Sequence, residues 1–178
     1  MPSMKTLPVV LVAGMMALLT NAWAAKTVDF SELAGSYSGQ GTILAFGTPY
    51  SLTAKVKFNV PKHGKTAKVK LSGLISASSG VPWNVTLQLK KKGKMTTNNI
   101  VGISTAEIYM AAGRYKVSKG SKLETNAQST VEMATLAQKV SMTVKPKGKK
   151  KKAMKVRITV LVDGAEYIVY NLKLTGKL

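Results

Sequence analysis

The 178-residue chain contains no cysteine, one histidine and only seven acidic residues. Without thiols it can form neither a disulfide nor a thiolate metal site, so its stability must come from packing. Other metal ligands are missing too, because His63 stands alone and no Asp-x-Asp loop occurs. No metal and no cofactor is expected. The acids are Asp29, Glu32, Glu107, Glu124, Glu132, Asp163 and Glu166, and no spacing pairs two of them for acid–base work. Asp163 reads as a turn residue and Glu166 as its neighbour, pairing with a lysine across the turn. His63 sits in a lysine-rich turn with no acid near it in sequence, whereas a general base needs a positioned partner. A non-enzymatic role is expected.

Aromatic residues are scarce, at 6%. Tyr50, Tyr115, Tyr167 and Tyr170 are scattered and do not form the stacking array of a single-stranded nucleic-acid groove. Trp83 falls on an apolar strand face and reads as core. "GSYSGQG" at 35–41 lacks the Walker lysine pattern and opens no helix, so Gly39 and Gly41 are expected at a strand bend or bulge. Asn84-Val85-Thr86 matches a glycosylation sequon but lies inside a strand, and it is read as chance.

A long apolar run occurs only near the start. Residues 1–24 carry Lys5, an apolar stretch from Leu7 to Leu19, and then Ala22-Trp23-Ala24, the small-x-small pattern of a signal-peptidase site. The stretch is shorter than the roughly 20 residues that span a bilayer as a helix. A signal peptide over 1–24 is expected, cut before Ala25. No twin arginine precedes it, and a lipoprotein anchor lacks its cysteine. The chain is expected to be exported, to a bacterial periplasm or beyond, since an exported protein without disulfides fits that compartment. Residues 25–178 are then one β-domain with a core of its own.

Lysine is what the sequence has in excess. Loss of Lys5 leaves 26 Lys+Arg against 7 Asp+Glu, a formal charge of +19, and Arg114 and Arg157 are the only arginines. That surplus far exceeds the net charge of roughly 2–8 that suits solubility. It attracts polyanions and opposes compaction. The cations recur at turn signals: Lys62 and Lys65; Lys90, Lys91, Lys92 and Lys94; Lys119 and Lys122; and Lys145, Lys147, Lys149, Lys150, Lys151 and Lys152. Lys155 and Arg157 follow on a strand face, as Lys55, Lys57, Lys68 and Lys70 do earlier. Lysine is a hydrated point charge without arginine's bidentate grip. Any binding is therefore expected to be salt-sensitive and blind to nucleotide sequence.

Between these clusters apolar and polar residues alternate with the period of a half-buried strand. Tyr50, Leu52, Ala54, Val56, Phe58 and Val60 share one face, with Lys55 and Lys57 on the other. Ala67, Val69 and Leu71 form a second apolar face, and Val81, Trp83, Val85, Leu87 and Leu89 a third. Val156, Ile158, Val160 and Val162 oppose Lys155, Arg157 and Thr159, and Asp163-Gly164 signals a tight hairpin into Ile168, Tyr170, Leu172 and Leu174. In the middle, "STAEIYMAAG" and "STVEMATLAQ" have capping-box spacing for a helix. An internal repeat argues otherwise for the second. It sets Leu52 on Leu136, Val56 on Val140, Phe58 on Met142, Val60 on Val144, Val69 on Val156, Leu71 on Ile158, Leu87 on Leu172 and Leu89 on Leu174. Upstream, Gly35-Ser36-Tyr37 matches Gly113-Arg114-Tyr115.

Residues 35–90 and 113–175 thus read as two copies of one meander, joined through an extra strand near "NNIVGIS" or a short helix from Thr105 to Ala112. The lysine run 145–152 becomes a hairpin tip rather than a tail. About eight antiparallel strands are expected, closing as a small up-and-down barrel, with a two-sheet sandwich as the alternative. The opening Leu33, Gly35 and Tyr37 resemble the Leu-x-Gly-x-Tyr start of lipocalin-like (calycin) barrels. That resemblance implies a barrel whose mouth holds a small apolar ligand.

Three roles follow. The first is an exported domain that binds anionic surfaces through its lysine tips: lipopolysaccharide, anionic lipid, acidic polysaccharide or DNA. The second is a carrier for a small apolar ligand. The third is an outer-membrane barrel, which would need an outward apolar band and aromatic girdles.

Overall fold

The computed structural model describes residues 28–76, 80–101, 110–131 and 133–177; the expected signal peptide lies outside them. Ten strands follow one another along the chain: β1 (Gly35–Ala45), β2 (Thr48–Asn59), β3 (Ala67–Ile75), β4 (Val81–Leu89), β5 (Lys94–Thr97), β6 (Ala111–Ser118), β7 (Lys122–Val131), β8 (Ala134–Pro146), β9 (Lys151–Val162) and β10 (Ala165–Lys177). Each pairs antiparallel with the next, and β10 pairs with β1 to close a barrel. The fold is therefore an up-and-down barrel and not a two-sheet sandwich, with ten strands where about eight were expected.

The additional strands arise in the stretch least patterned in sequence. β5 lies at Lys94–Thr97, just before the expected "NNIVGIS" strand, and four residues are too few to announce a period. Asn98 to Val101 leave the ladder, and Ile100 and Val101 bury in the core as the Val101 N–H donates to Gln138 Oε1. Ala111 and Ala112 belong to β6 rather than to a helix. Of the rest of that expected helix, Met110 is in no helix and Thr105–Tyr109 lies outside the described residues. Residues 136–144 fall within β8, so strand pairing overrides the capping-box spacing there.

Alternation carries into burial. Leu52, Ala54, Val56 and Phe58 on β2 point inward and Ser51, Thr53, Lys55 and Lys57 outward. Two ends of the pattern differ from expectation. Tyr50 is exposed and Val60 half-buried, because each sits near a barrel end where cover thins. Thr159, assigned to the solvent face, is buried between its ladder partners Lys139 and Val169.

Registers recur between β2–β3–β4 and β8–β9–β10. Val56 faces Leu71 as Val140 faces Ile158, and Phe58 faces Val69 as Met142 faces Val156. Val69 faces Leu87 as Val156 faces Leu172. The upstream match does not keep its place, since β1 adjoins β2 directly while β7 separates β6 from β8.

Close backbone approaches come at glycines, and the β1 registers run through Gly39 and Gly41 without a bulge. A Cβ on Gly73 would lie 1.8 Å from the Thr53 carbonyl oxygen and 2.7 Å from Trp83 Nε1. Gly39 and Gly41 are likewise pressed against the β10 backbone, at the Lys173 and Asn171 carbonyls. Substitution Gly73→Ala should destabilise by about 3 kcal/mol, since rigid backbone blocks the added methyl. Gly80→Ala, where φ is +63° but space is open, should cost only about 1 kcal/mol. Denaturant midpoints of the two variants check the ranking.

Candidate functional site

In an antiparallel barrel every second connection falls at the same end. The β2–β3, β4–β5, β6–β7 and β8–β9 turns therefore share one pole, and these are the four lysine clusters. Lys62, Lys65, Lys90, Lys91, Lys92, Lys94, Lys145, Lys147, Lys149, Lys150 and Lys151 are all exposed there. Lys152 is half-buried and donates from Nζ to the Glu32 carbonyl at 3.2 Å. The run 145–152 is the tip of the β8–β9 hairpin, held by the Lys147 N–H on the Lys151 carbonyl at 2.8 Å. Pro146 faces Lys152, and Lys145 faces Ala153. Lys92 and Lys119 each precede a glycine and adopt positive φ, as tight turns require.

Residues 28–34 cork this pole from within. Phe30 and Leu33 are fully buried, and the Phe30 ring meets Phe58 at 5.8 Å and Tyr115 at 5.9 Å. Tyr37 donates to the Leu33 carbonyl, and Tyr115 to the Lys90 carbonyl at 2.8 Å, which fixes the β4–β5 tip to the barrel wall. Burial raises both phenols above their ordinary pKa, with the Glu32 charge adding to the effect at Tyr37.

Lys155 and Arg157 stand apart from the tips, on the outer wall. There a groove of about 1000 Å³ crosses β1, β10, β9 and β8, lined by Lys155, Arg157, Lys173, Gln40, Asn171 and Thr143 over the Gly39–Gly41 backbone. A smaller groove with Lys151 and Lys177 lies between it and the pole. Lysines face lysines across the ladder at Lys151–Lys177 and Lys155–Lys173, and again at Lys57–Lys70 on another wall. Acids neutralise little of this. Among the described residues only Lys122–Glu124, at 2.7 Å, and Arg157–Glu166, at 3.6 Å, form ion pairs, both on exposed side chains. Glu166 thus pairs with arginine where a lysine was expected. Lys173 and Lys177 were missed as site residues because each belongs to an ordinary alternating strand; only the β9–β10 register reveals them.

Comparison with protein-family models, curated proteins and solved structures returns no match. The chemistry of the site must be read from its own residues.

His63 is exposed in its turn, its Nδ1 accepting from the Lys65 N–H. Trp83 is buried against Tyr170, ring centroids 5.3 Å apart. Trp83 Nε1, Tyr170 Oη and Gln138 Nε2 have no hydrogen-bond partner inside the barrel.

The opposite pole is built differently. The strand ends joined by the β1–β2, β3–β4, β5–β6, β7–β8 and β9–β10 connections lie there, and the sequences of those connections contain no lysine or arginine. Every large apolar side chain exposed among the described residues is at or beside these turns: Leu44, Phe46, Tyr50, Leu74, Met110, Met133 and Tyr167. One end of the molecule is cationic; the other gathers the exposed apolar side chains, and its connections contain three of the seven acids, Glu107, Glu132 and Asp163.

Two measurements test this description. Lys155→Gln should stabilise the fold by about 0.2–1 kcal/mol by relieving the facing Lys173 charge. The gain should shrink as added salt screens the pair. Tyr170 presents a second test, because burial pushes its phenol well above the ordinary 10.0. The folded state then holds the proton more tightly than the unfolded chain. Its contribution is complete below about pH 10 and is lost as pH climbs toward the folded value. Tyr170→Phe should match the parent near neutrality and lose less stability above pH 10, read by thermal melts across pH.

Proposed function

We propose that this protein is an exported, non-enzymatic barrel that binds anionic polymers or surfaces through its cationic pole and the adjoining β9–β10 wall. The observation carrying this reading is the convergence of four separate lysine clusters on one end of a closed frame, with almost no neutralising acids. Facing lysines cost stability, so a ladder that repeats them is supported by the use of that charge. The cross-strand pairs Lys151–Lys177 and Lys155–Lys173 are four residues apart along β9, or about 13 Å at strand rise. They form a track from the pole to Arg157. Gln40, Thr143 and Asn171 beside it add hydrogen-bonding groups suited to a hydroxyl-bearing polyanion such as an acidic polysaccharide or lipopolysaccharide core. DNA and anionic lipid remain within the same chemistry.

The equal registers of β2–β3–β4 and β8–β9–β10 support reading these strands as copies of one unit, each with a lysine-rich first turn. The carrier role suggested by the lipocalin-like start has less support: Phe30 and Leu33 fill one end, and Tyr170, Trp83, Phe58 and Met142 converge inside. The outer-membrane role is opposed by outward faces of lysine, serine, threonine, asparagine and glutamine on β2, β4 and β7, where a lipid-facing band is apolar.

Retention on immobilised heparin tests the reading. Binding should fall steeply with salt and vanish by about 0.5 M, as counterion release demands. Replacing the exposed Lys147, Lys149, Lys150 and Lys151 by glutamine should shift elution to markedly lower salt without lowering the melting temperature. Retention that ignores salt, or an elution position unmoved by the four substitutions, would refute it.

A further inference from the structure

Strand register organises the outer groove over β1, β10, β9 and β8. Two rows of outward side chains cross it. In one row Gln40 faces Lys173, Lys173 faces Lys155, and Lys155 faces Thr143. In the next, Thr42 faces Asn171, Asn171 faces Arg157, and Arg157 faces Ser141. Neighbouring strands lie about 4.8 Å apart, and positions two residues apart on one strand about 7 Å apart. Lys155, Lys173, Asn171 and Arg157 therefore start from the four corners of a small rectangle, all exposed on the groove.

Three of those corners are cationic. Like charges facing across a ladder repel, and an anion seated between Lys155 and Lys173 relieves that repulsion. Lysines also face each other at Lys57–Lys70 and Lys151–Lys177. Among these pairs, Lys155–Lys173 alone has an arginine at the next outward position of a strand. A guanidinium is the planar fork that grips phosphate bidentately. Glu166, 3.6 Å from Arg157, offsets one of the three cations and leaves three less one, or +2. Glu124 on β7 faces Ser141 at the groove edge and is paired with Lys122 at 2.7 Å. Lys139 and Lys145 on β8 extend the positive field, and β1 carries no charged residue.

A phosphate monoester, at about −1.5 to −2 near neutral pH with three acceptor oxygens, matches that surplus. Sulfate esters, carboxylates and the diesters of nucleic acid bring only a single charge each. Around the cations, Gln40, Asn171, Thr42, Ser141 and Thr143 offer amides and hydroxyls that pair with sugar hydroxyls. The lining contains no aromatic ring, the platform on which nucleobases stack.

We propose that this groove binds a phosphate monoester carried on a sugar, with the phosphate over Lys155, Lys173 and Arg157 and the hydroxyls on Gln40, Asn171 and Thr143. Resting on the polyanion reading, the wall selects this one group, whereas the lysine pole attracts any negative charge.

Titration of the purified protein with glucose 6-phosphate, followed by amide NMR shifts, tests the site. Saturable shifts are expected at the groove residues of β1, β8, β9 and β10. Glucose 6-phosphate should bind about threefold or more tightly than glucose 6-sulfate, which lacks the second charge, or inorganic phosphate, which lacks the hydroxyls. The advantage over the sulfate ester should vanish between about pH 7.5 and about pH 5, as the phosphate loses its second charge near pH 6. Glucose 6-sulfate keeps its charge over that range and reports any change in the protein's own groups. Arg157→Lys keeps the charge without the fork and should weaken glucose 6-phosphate about threefold. Lys155→Gln should remove the pH-dependent advantage without lowering the melting temperature. The variant with glutamine at 147, 149, 150 and 151 should elute early from heparin yet bind glucose 6-phosphate as the parent does, so the two readings fail separately. Equal affinity for the phosphate and sulfate esters overturns the proposal, as does a preference that ignores pH or shifts confined to the lysine turns. Inorganic phosphate that binds as tightly as glucose 6-phosphate overturns the assignment of a sugar. Tighter binding in the groove by a thymidine dinucleotide overturns it in favour of nucleic acid.

Discussion

The β1–β10 ladder is the contact on which the other features depend. It pairs Tyr37 with Gly176 at one end and Ala45 with Ile168 at the other, and thereby removes the two free edges that a ten-strand meander would expose. Closure demands that two backbones come close along a curved seam. Gly39 and Gly41 permit it, since side chains there would strike the carbonyls of Lys173 and Asn171. The glycine-rich "GSYSGQG" is accordingly a structural seam, and the large outer groove lies over it. Once the ladder closes with an even number of antiparallel strands, the turns divide into two sets. Lysine clusters separated by about thirty residues of chain then become neighbours in space.

This arrangement places a heavy positive charge on a frame that cannot spread out to relieve it. Backbone bonds hold Lys155 opposite Lys173 and Lys57 opposite Lys70 whatever their repulsion. The interior supplies the opposing stabilisation through inward residues of all ten strands and the cork of Phe30 and Leu33. The two poles differ in the chemistry of their exposed side chains. Charge at the lysine end is screened by salt, and the exposed apolar side chains at the other are not.

Strands with long, clean alternation were legible from sequence, because an inward or outward position every second residue is all that a half-buried strand requires. β2, β3, β4, β9 and β10 belong to this group. Asp163-Gly164 likewise announced its hairpin, and it adopts positive φ at both residues. The region from Lys94 to Val131 was not legible for physical reasons. β5 is too short for a period, and β6 begins in alanines of either propensity; just beyond, "STVEMATLAQ" carries helix spacing, and there the internal repeat marked 136–144 as the strand that β8 contains. The burial of Phe30 and Leu33 as a plug also escaped notice, because a non-strand segment leaves no periodic trace.

Composition and periodicity alone determined that the chain is an all-β protein without cysteine, that its surplus charge is lysine, and that the run at 145–152 sits between paired strands. Those properties depend on residue type and on neighbours one or two positions away. Only the tertiary structure decided that ten strands close, that all four lysine turns share one pole while Phe46, Met110 and Met133 share the other, and that Lys173 confronts Lys155. These depend on strand count and register, which are set by contacts between residues far apart in the chain.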